Sequence, residues 1–142
     1  MADDDRLIYL ISRAQHCLKV HLMKAFSAEG LDLTPVQAGI LFLLKEGPKT
    51  MTQLSRMLGI DNSAITGLVD RLGNAQLAER RPDPADRRKW RIHITDKGRA
   101  EIDRALVIVR RVNGDIKDGF STEEIAVFKK VLTSFLEKFN KE

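Results

Sequence analysis

Between Thr34 and Thr95 the sequence starts three helices in quick succession and then turns to a different pattern. Thr34 is followed by Pro35 and Gln37. The threonine caps, the proline suits the first helical position, and the glutamine completes a capping box. Ile40, Leu41 and Leu44 continue an apolar face up to Gly47-Pro48, where proline ends the helix. Thr50 and Gln53 repeat the box and open a short helix carrying Leu54 and Leu58, which Gly59 closes. Asp61 then caps a helix from about Asn62 to Leu72, with Ile65, Leu68, Val69 and Leu72 facing inward. After Leu77 the pattern changes: Pro82, Asp83, Pro84 and Asp86 mark a turn, and Trp90, Ile92 and Ile94 alternate with Arg91 and His93. That is a β-hairpin with a charged tip, and Trp90 is expected to pack in the core.

Two short helices joined by a glycine-containing turn form a helix-turn-helix pattern. With a hairpin directly behind them, they make the winged-helix plan. Longer helices flank it. One is predicted from about Arg6 to Glu29, with Leu7, Ile11, Ala14, Leu18 and Ala25 at helical spacing and Gly30 as its stop. Thr95 and Asp96 begin another, in which Ile102, Ala105, Val109, Val112 and Ile116 follow heptad spacing. Ser121 and Glu124 open the last, with Ile125, Phe128, Leu132, Phe135 and Phe139 as its stripe. The expected fold is therefore mainly α with a small β-wing. Residues 1–142 form one domain, 34–95 its winged helix-turn-helix part, and 6–29 and 96–139 dimerisation helices. A chain of this length has little left to cover three long amphipathic helices, so a homodimer buries those faces better than a monomer.

Charge is unevenly placed. The formal net charge is only +4, yet residues 80–91 hold Arg80, Arg81, Arg87, Arg88, Lys89 and Arg91 against Asp83 and Asp86. A basic stripe beside a helix-turn-helix is the electrostatic footprint of a nucleic-acid binder. The opposite bias lies at the start, in Asp3, Asp4 and Asp5. The acidic start has no signal-peptide pattern, no apolar run is long enough to span a bilayer, and the single cysteine, Cys17, forms no disulfide within the chain. The expectation is a cytoplasmic protein with no membrane association.

On the winged-helix plan, the second helix of the pair enters the major groove, where base edges are distinguishable. Asn62, Ser63 and Thr66 are short polar groups on its exposed N-terminal half, and Gly67 allows close backbone approach. Arg71 lies further along the same helix. Asp61, as the cap, directs the first-turn amides towards phosphate. Arg87, Arg88 and Lys89 occupy the hairpin tip, and Asp86 stands two residues before Arg88, where it can hold the arginine in one orientation. The competing reading is a winged-helix protein-interaction module without specific DNA binding; loss of the basic wing would mark it, and the wing is intact. No P-loop, dinucleotide fingerprint or supported Ser/His/Asp arrangement is present, so the chain reads as no enzyme and needs no cofactor.

The segment from Asp61 through Leu72 resembles the recognition helix of MarR-type regulators. The run Asp83-Pro84-Ala85-Asp86-Arg87-Arg88 through Ile94-Thr95, followed by Gly98, resembles that family's wing and the start of its next helix. The resemblance spans nearly the whole chain. It implies an obligate homodimer that binds a pseudo-palindromic operator, usually as a repressor released by a small phenolic or other aromatic compound, and in some members by oxidants or metals. It also implies that Arg88 enters the minor groove and that Asp86 orients it. Two positions depart from the pattern. Gln76 stands where the family often has glycine, so the helix is expected to end with Asn74 in the left-handed region. Gly67 stands where some members carry a base-contacting arginine, which leaves the operator sequence open.

Effector contacts are nominated at Tyr9, His16 and Phe42, against the plainer reading that all three pack or face solvent. Cys17 and His21 are four residues apart on one helix, so a reactive thiol is a second route to sensing, against a cysteine that simply packs in a dimer interface. His16, His21 and His93 make no ligand cluster, and no metal site is expected.

Overall fold

The computed structural model describes residues 6–140; the acidic triplet Asp3, Asp4 and Asp5 lies outside them. Among the described residues the elements run α1 (Leu7–Ala28), α2 (Pro35–Glu46), α3 (Met51–Leu58), α4 (Asn62–Asn74), β1 (Ala78–Pro82), β2 (Trp90–Ile94), α5 (Asp96–Lys117) and α6 (Thr122–Phe139). This is the mainly helical fold with one small hairpin that the sequence predicts. No helix among the described residues is long and apolar enough to cross a membrane.

The helix starts are built as local chemistry dictates. Thr34 accepts the Gln37 amide at 3.2 Å while the Gln37 side chain accepts the Thr34 amide at 3.0 Å. Thr50 with Gln53, and Ser121 with Glu124, form the same reciprocal pair. Glycines 30 and 59 close α1 and α3 with positive φ, and the Leu31 and Ile60 amides reach back to Phe26 and Ser55. The Ser55 hydroxyl also donates to the Ile60 carbonyl, tying down the turn between α3 and α4.

The end of α4 departs from the expectation. Asn74 is helical; the left-handed residue is Gln76, at φ 62°. Its amide donates to Gly73 and the Leu77 amide to Leu72, a Schellman closure that needs its left-handed residue one place before Leu77. Leu77 is buried, which fixes the register of that closure. Contacts from α5 hold it: the Thr95 hydroxyl donates to the Gln76 carbonyl at 2.7 Å and Lys97 Nζ to the Ala75 carbonyl at 3.0 Å. A side chain in the left-handed region costs about 1 kcal/mol, partly offset in glycine by its greater freedom when unfolded. Gln76→Gly should therefore stabilise the protein by roughly 0.5 kcal/mol, read by denaturant unfolding; a loss of stability would show that the Gln76 side chain contributes more than its backbone costs.

The described residues divide into two compact units, one running to Ile108 and the other starting at Val109. In the first, Phe26, Ile40, Leu41, Leu44, Leu54, Ile65, Leu72, Ile92 and Ile102 are the largest fully buried side chains. They come from α1 to α5 and from β2, so the helix-turn-helix and the hairpin share one core. β1 and β2 pair antiparallel, with Ala78 opposite Ile94, Arg80 opposite Ile92 and Pro82 opposite Trp90. Lys49, between α2 and α3, adds a single-residue third strand: its amide donates to the Ile92 carbonyl at 3.1 Å and its carbonyl accepts the Ile92 amide at 2.7 Å. This bridge fastens the hairpin to the helix-turn-helix. The second unit holds the end of α5, a turn at Gly119 with φ 86°, and α6.

Candidate nucleic-acid interface

The α4 N-terminus is set by Asp61. Its Oδ1 accepts the Ala64 amide at 2.9 Å and the Ser63 hydroxyl at 2.8 Å. These two bonds, the amide first, hold the carboxyl below the ordinary carboxylate range. Asp61 is thus the cap that the sequence predicts, and it takes up the Ala64 amide of the first turn. Asn62, Ser63, Thr66, Gly67 and Arg71 are all exposed, and the Thr66 hydroxyl turns back to donate to the Asn62 carbonyl at 2.8 Å. Ile65, Val69 and Leu72 are buried and Leu68 is half-buried, so one face of α4 is anchored while the other is free.

The wing tip is organised by two carboxylates. Asp83, buried to 7% exposure, accepts the Ala85 amide at 2.9 Å and Arg91 Nε at 3.0 Å, and its own amide donates to the Lys89 carbonyl at 2.8 Å. Asp86 accepts the Arg88 amide at 3.1 Å, Arg88 Nε at 3.2 Å and Arg88 Nη2 at 3.4 Å. The Arg88 side chain is 91% exposed, so a chelated guanidinium projects into solvent with its orientation limited by Asp86. Both carboxyls lie below the ordinary range: Asp83 chiefly through the Ala85 amide, Asp86 chiefly through the Arg88 side chain.

Sequence reasoning took Asp83 only as a turn marker. The available signal was its position between two prolines, eight residues before Arg91, at the mouth of the hairpin. Asp83→Ala should speed hydrogen exchange at the Ala85 amide while the α2 and α4 amides keep their protection; unchanged exchange at Ala85 would remove the carboxylate from its organising role. Because the folded pKa of Asp83 is lowered, its contribution is fully present above about pH 4 and is lost as pH falls through the folded value. Carboxyl NMR should accordingly place its midpoint below that of an unstructured aspartate.

Two further expectations change. Trp90 is 52% exposed rather than packed in the core. It pairs with Pro82 at the outer end of the hairpin, two residues past the Lys49 bridge at Ile92 that joins the wing to the helices. The basic stripe is also less free than its composition implies. Arg80 pairs with Asp70 at 2.5 Å, Arg81 with Glu79, and Arg91 with Asp83. Arg87 and Lys89 form no ion pair among the described residues and, with Arg88, carry the outward charge of the tip.

The other nominated residues stand on the surface of the single chain. Tyr9, His16 and Cys17 are exposed on α1, and Phe42 is exposed on α2. None of them lines the apolar hollow of about 380 Å³ formed by Ile116, Phe120, Glu124, Ile125 and Phe128 in the second unit. Among the described residues no group of three or more His, Cys, Asp or Glu is placed to hold a metal.

Comparison with known proteins meets this geometry. The model of the MarR family matches residues 31–89, from the loop before α2 to the wing tip. The uncharacterised HTH-type transcriptional regulator YsmB of Bacillus subtilis is 37% identical over 70% of this chain and 69% of its own length. The transcriptional repressor CouR, solved bound to a 23-mer DNA duplex, is 27% identical with a TM-score of 0.83, covering 91% of each chain. CouR from Rhodococcus jostii RHA1, solved bound to p-coumaroyl-CoA, is 28% identical with a TM-score of 0.83, covering 97% of this chain and 96% of that one. The chain belongs to the MarR family of HTH-type transcriptional regulators.

Proposed function

We propose that this protein is a homodimeric repressor that binds a pseudo-palindromic operator, with α4 in the major groove and the wing in the flanking minor groove, and that a small aromatic or phenolic compound releases it. The observation that carries the reading is the wing tip: an exposed Arg88 guanidinium chelated by Asp86, on a hairpin fastened to the helix-turn-helix through Lys49 and Ile92. A planar cation so held suits the narrow, electronegative minor groove of A·T-rich DNA. Asn62, Ser63, Thr66, Gly67 and Arg71 form the major-groove surface, and Arg87 and Lys89 contact phosphate.

Dimerisation rests on the exposed apolar faces. Leu7, Ile8, Leu10, Ile11 and Leu18 on α1, and Val127, Phe128, Val131, Leu132, Leu136 and Phe139 on α6, are uncovered in the single chain. Apolar surface of that extent marks an interaction site, and a two-fold dimer presents two recognition helices to a palindrome. Residues 34–95 act as the DNA-binding part and 6–29 and 96–139 as the dimerisation helices. The structure of CouR with p-coumaroyl-CoA supports an effector of aromatic class. Alanine at Tyr9, His16 or Phe42 tests those positions through loss of effector response, and Cys17→Ser tests the thiol route. Such a regulator works in the cytoplasm and catalyses no reaction.

The test is binding to DNA upstream of the protein's own gene, over a salt series and against non-specific competitor, with the oligomeric state measured by ultracentrifugation. Competitor-resistant binding by a dimer, with log K falling steeply with log salt, supports the reading. A protein that stays monomeric and binds all duplexes equally would overturn it.

A further inference from the structure

We propose that the N-terminal half of α4 selects A·T pairs at the base steps it faces, reading adenine through the Asn62 amide and acceptor oxygens and thymine through its methyl group. The inference rests on α4 being the recognition helix. It comes from what each exposed group has left to offer.

A serine or threonine hydroxyl has one hydrogen to donate and two lone pairs with which to accept. The Ser63 hydrogen is committed to Asp61 Oδ1 at 2.8 Å, and the Thr66 hydrogen to the Asn62 carbonyl at 2.8 Å. Neither acceptor carries a proton to give back: Asp61 is held ionised, and a backbone carbonyl only accepts. Neither hydroxyl therefore has a proton left to donate to a base, and each can only accept. With its oxygen turned back on the helix, the exposed remainder of Thr66 is its methyl group. Ala64 is also exposed and adds a second methyl. Asn62 retains a free primary amide, the group that pairs bidentately with adenine N6 and N7.

What is missing matters as much. Guanine shows only acceptors, N7 and O6, in the major groove, and arginine or lysine normally reads it. Residues 61–70 contain neither; the arginine of α4, Arg71, stands in its last turn, beyond the N-terminal half that carries these groups. An acceptor placed against guanine N7 or O6 is repelled. The adenine N6 and cytosine N4 amines both satisfy such an acceptor, so the choice of A·T over C·G falls to the Asn62 amide, which spans adenine N6 and N7, and to the exposed methyls, which meet the thymine C5 methyl. Gly67 adds no side chain to this face, and the space around it is open: a Cβ built there would meet nothing within 4 Å.

The experiment is selection of bound duplexes from a randomised library by the full-length protein, followed by affinity measurements on the selected site with deoxyuridine replacing thymine one position at a time. Positions facing α4 are those whose base preference changes in Ser63→Ala or Thr66→Ala but not in Arg88→Ala. The expected result is A·T at those positions, with about fourfold weaker binding when a contacted thymine methyl is removed. Thr66→Val keeps the methyl and should keep the deoxyuridine penalty. Thr66→Ala should shrink that penalty at the thymine Thr66 meets and leave it unchanged at one met by Ala64. Guanine at the α4-facing positions, or wild-type indifference to deoxyuridine, would overturn the proposal while leaving the regulator reading intact. No sequence selection at all would overturn both.

Discussion

Gly98→Ala should cost about 3 kcal/mol of folding stability, enough to lower the melting temperature by roughly 10 °C. Gly98 sits in the first turn of α5, where its amide donates to Thr95 Oγ1 at 3.0 Å. A Cβ placed there would lie 2.1 Å from the Leu77 carbonyl oxygen and 2.8 Å from Ile94 Cγ1. The first of these is backbone, and it cannot swing aside, because it already accepts the Thr95 amide at 3.1 Å. The clash falls where three features meet: the left-handed turn at Gln76, the end of β2 and the start of α5. Relief by movement would displace the Schellman closure, the hairpin or the α5 cap. Chemical denaturation of the purified variant checks the figure, and a loss below about 1 kcal/mol would show that the seam has slack.

Arg88→Ala should act in the opposite way, leaving stability within about 0.5 kcal/mol of wild type while weakening operator binding roughly 10- to 100-fold. The side chain is 91% exposed and its partner is a local carboxylate two residues away, so the folded core loses nothing. The loss falls on the complex, where a guanidinium held by Asp86 is already oriented before DNA arrives and gives up little freedom on binding. Asp86→Asn separates orientation from charge: it keeps the cation, loses the ionised partner, and should lose less affinity than Arg88→Ala. Equal affinity of Arg88→Ala and wild type for the operator, in a folded dimer, would remove the arginine from the interface.

These two residues also show what a sequence can and cannot disclose. Caps and the Asp86 to Arg88 pair are legible because both partners lie within three residues, so local geometry alone brings them together. The Lys49 bridge to Ile92 joins residues with no shared pattern, and a one-residue strand has no periodicity to read. Gln76 takes the left-handed conformation because Leu77 must be buried and because Thr95, just before α5, and Lys97, on it, reach across from far along the chain to hold it. Strand alternation puts Trp90 and Ile92 on one face, but it does not say where the core beneath that face ends. The composition of residues 80–91 overstated the free charge because Arg80 pairs with Asp70, a partner supplied by α4.

The most direct test of the central claim is hydroxyl-radical footprinting of the full-length protein on its operator, with wild type and Arg88→Ala side by side at concentrations that saturate each. The account predicts two-fold symmetric protection, its α4-dependent centres about one helical turn apart, with flanking minor-groove protection that disappears in Arg88→Ala while the central pattern stays. Protection that is asymmetric, or flanks that persist without Arg88, would contradict a dimer that reads the major groove with α4 and the minor groove with its wing.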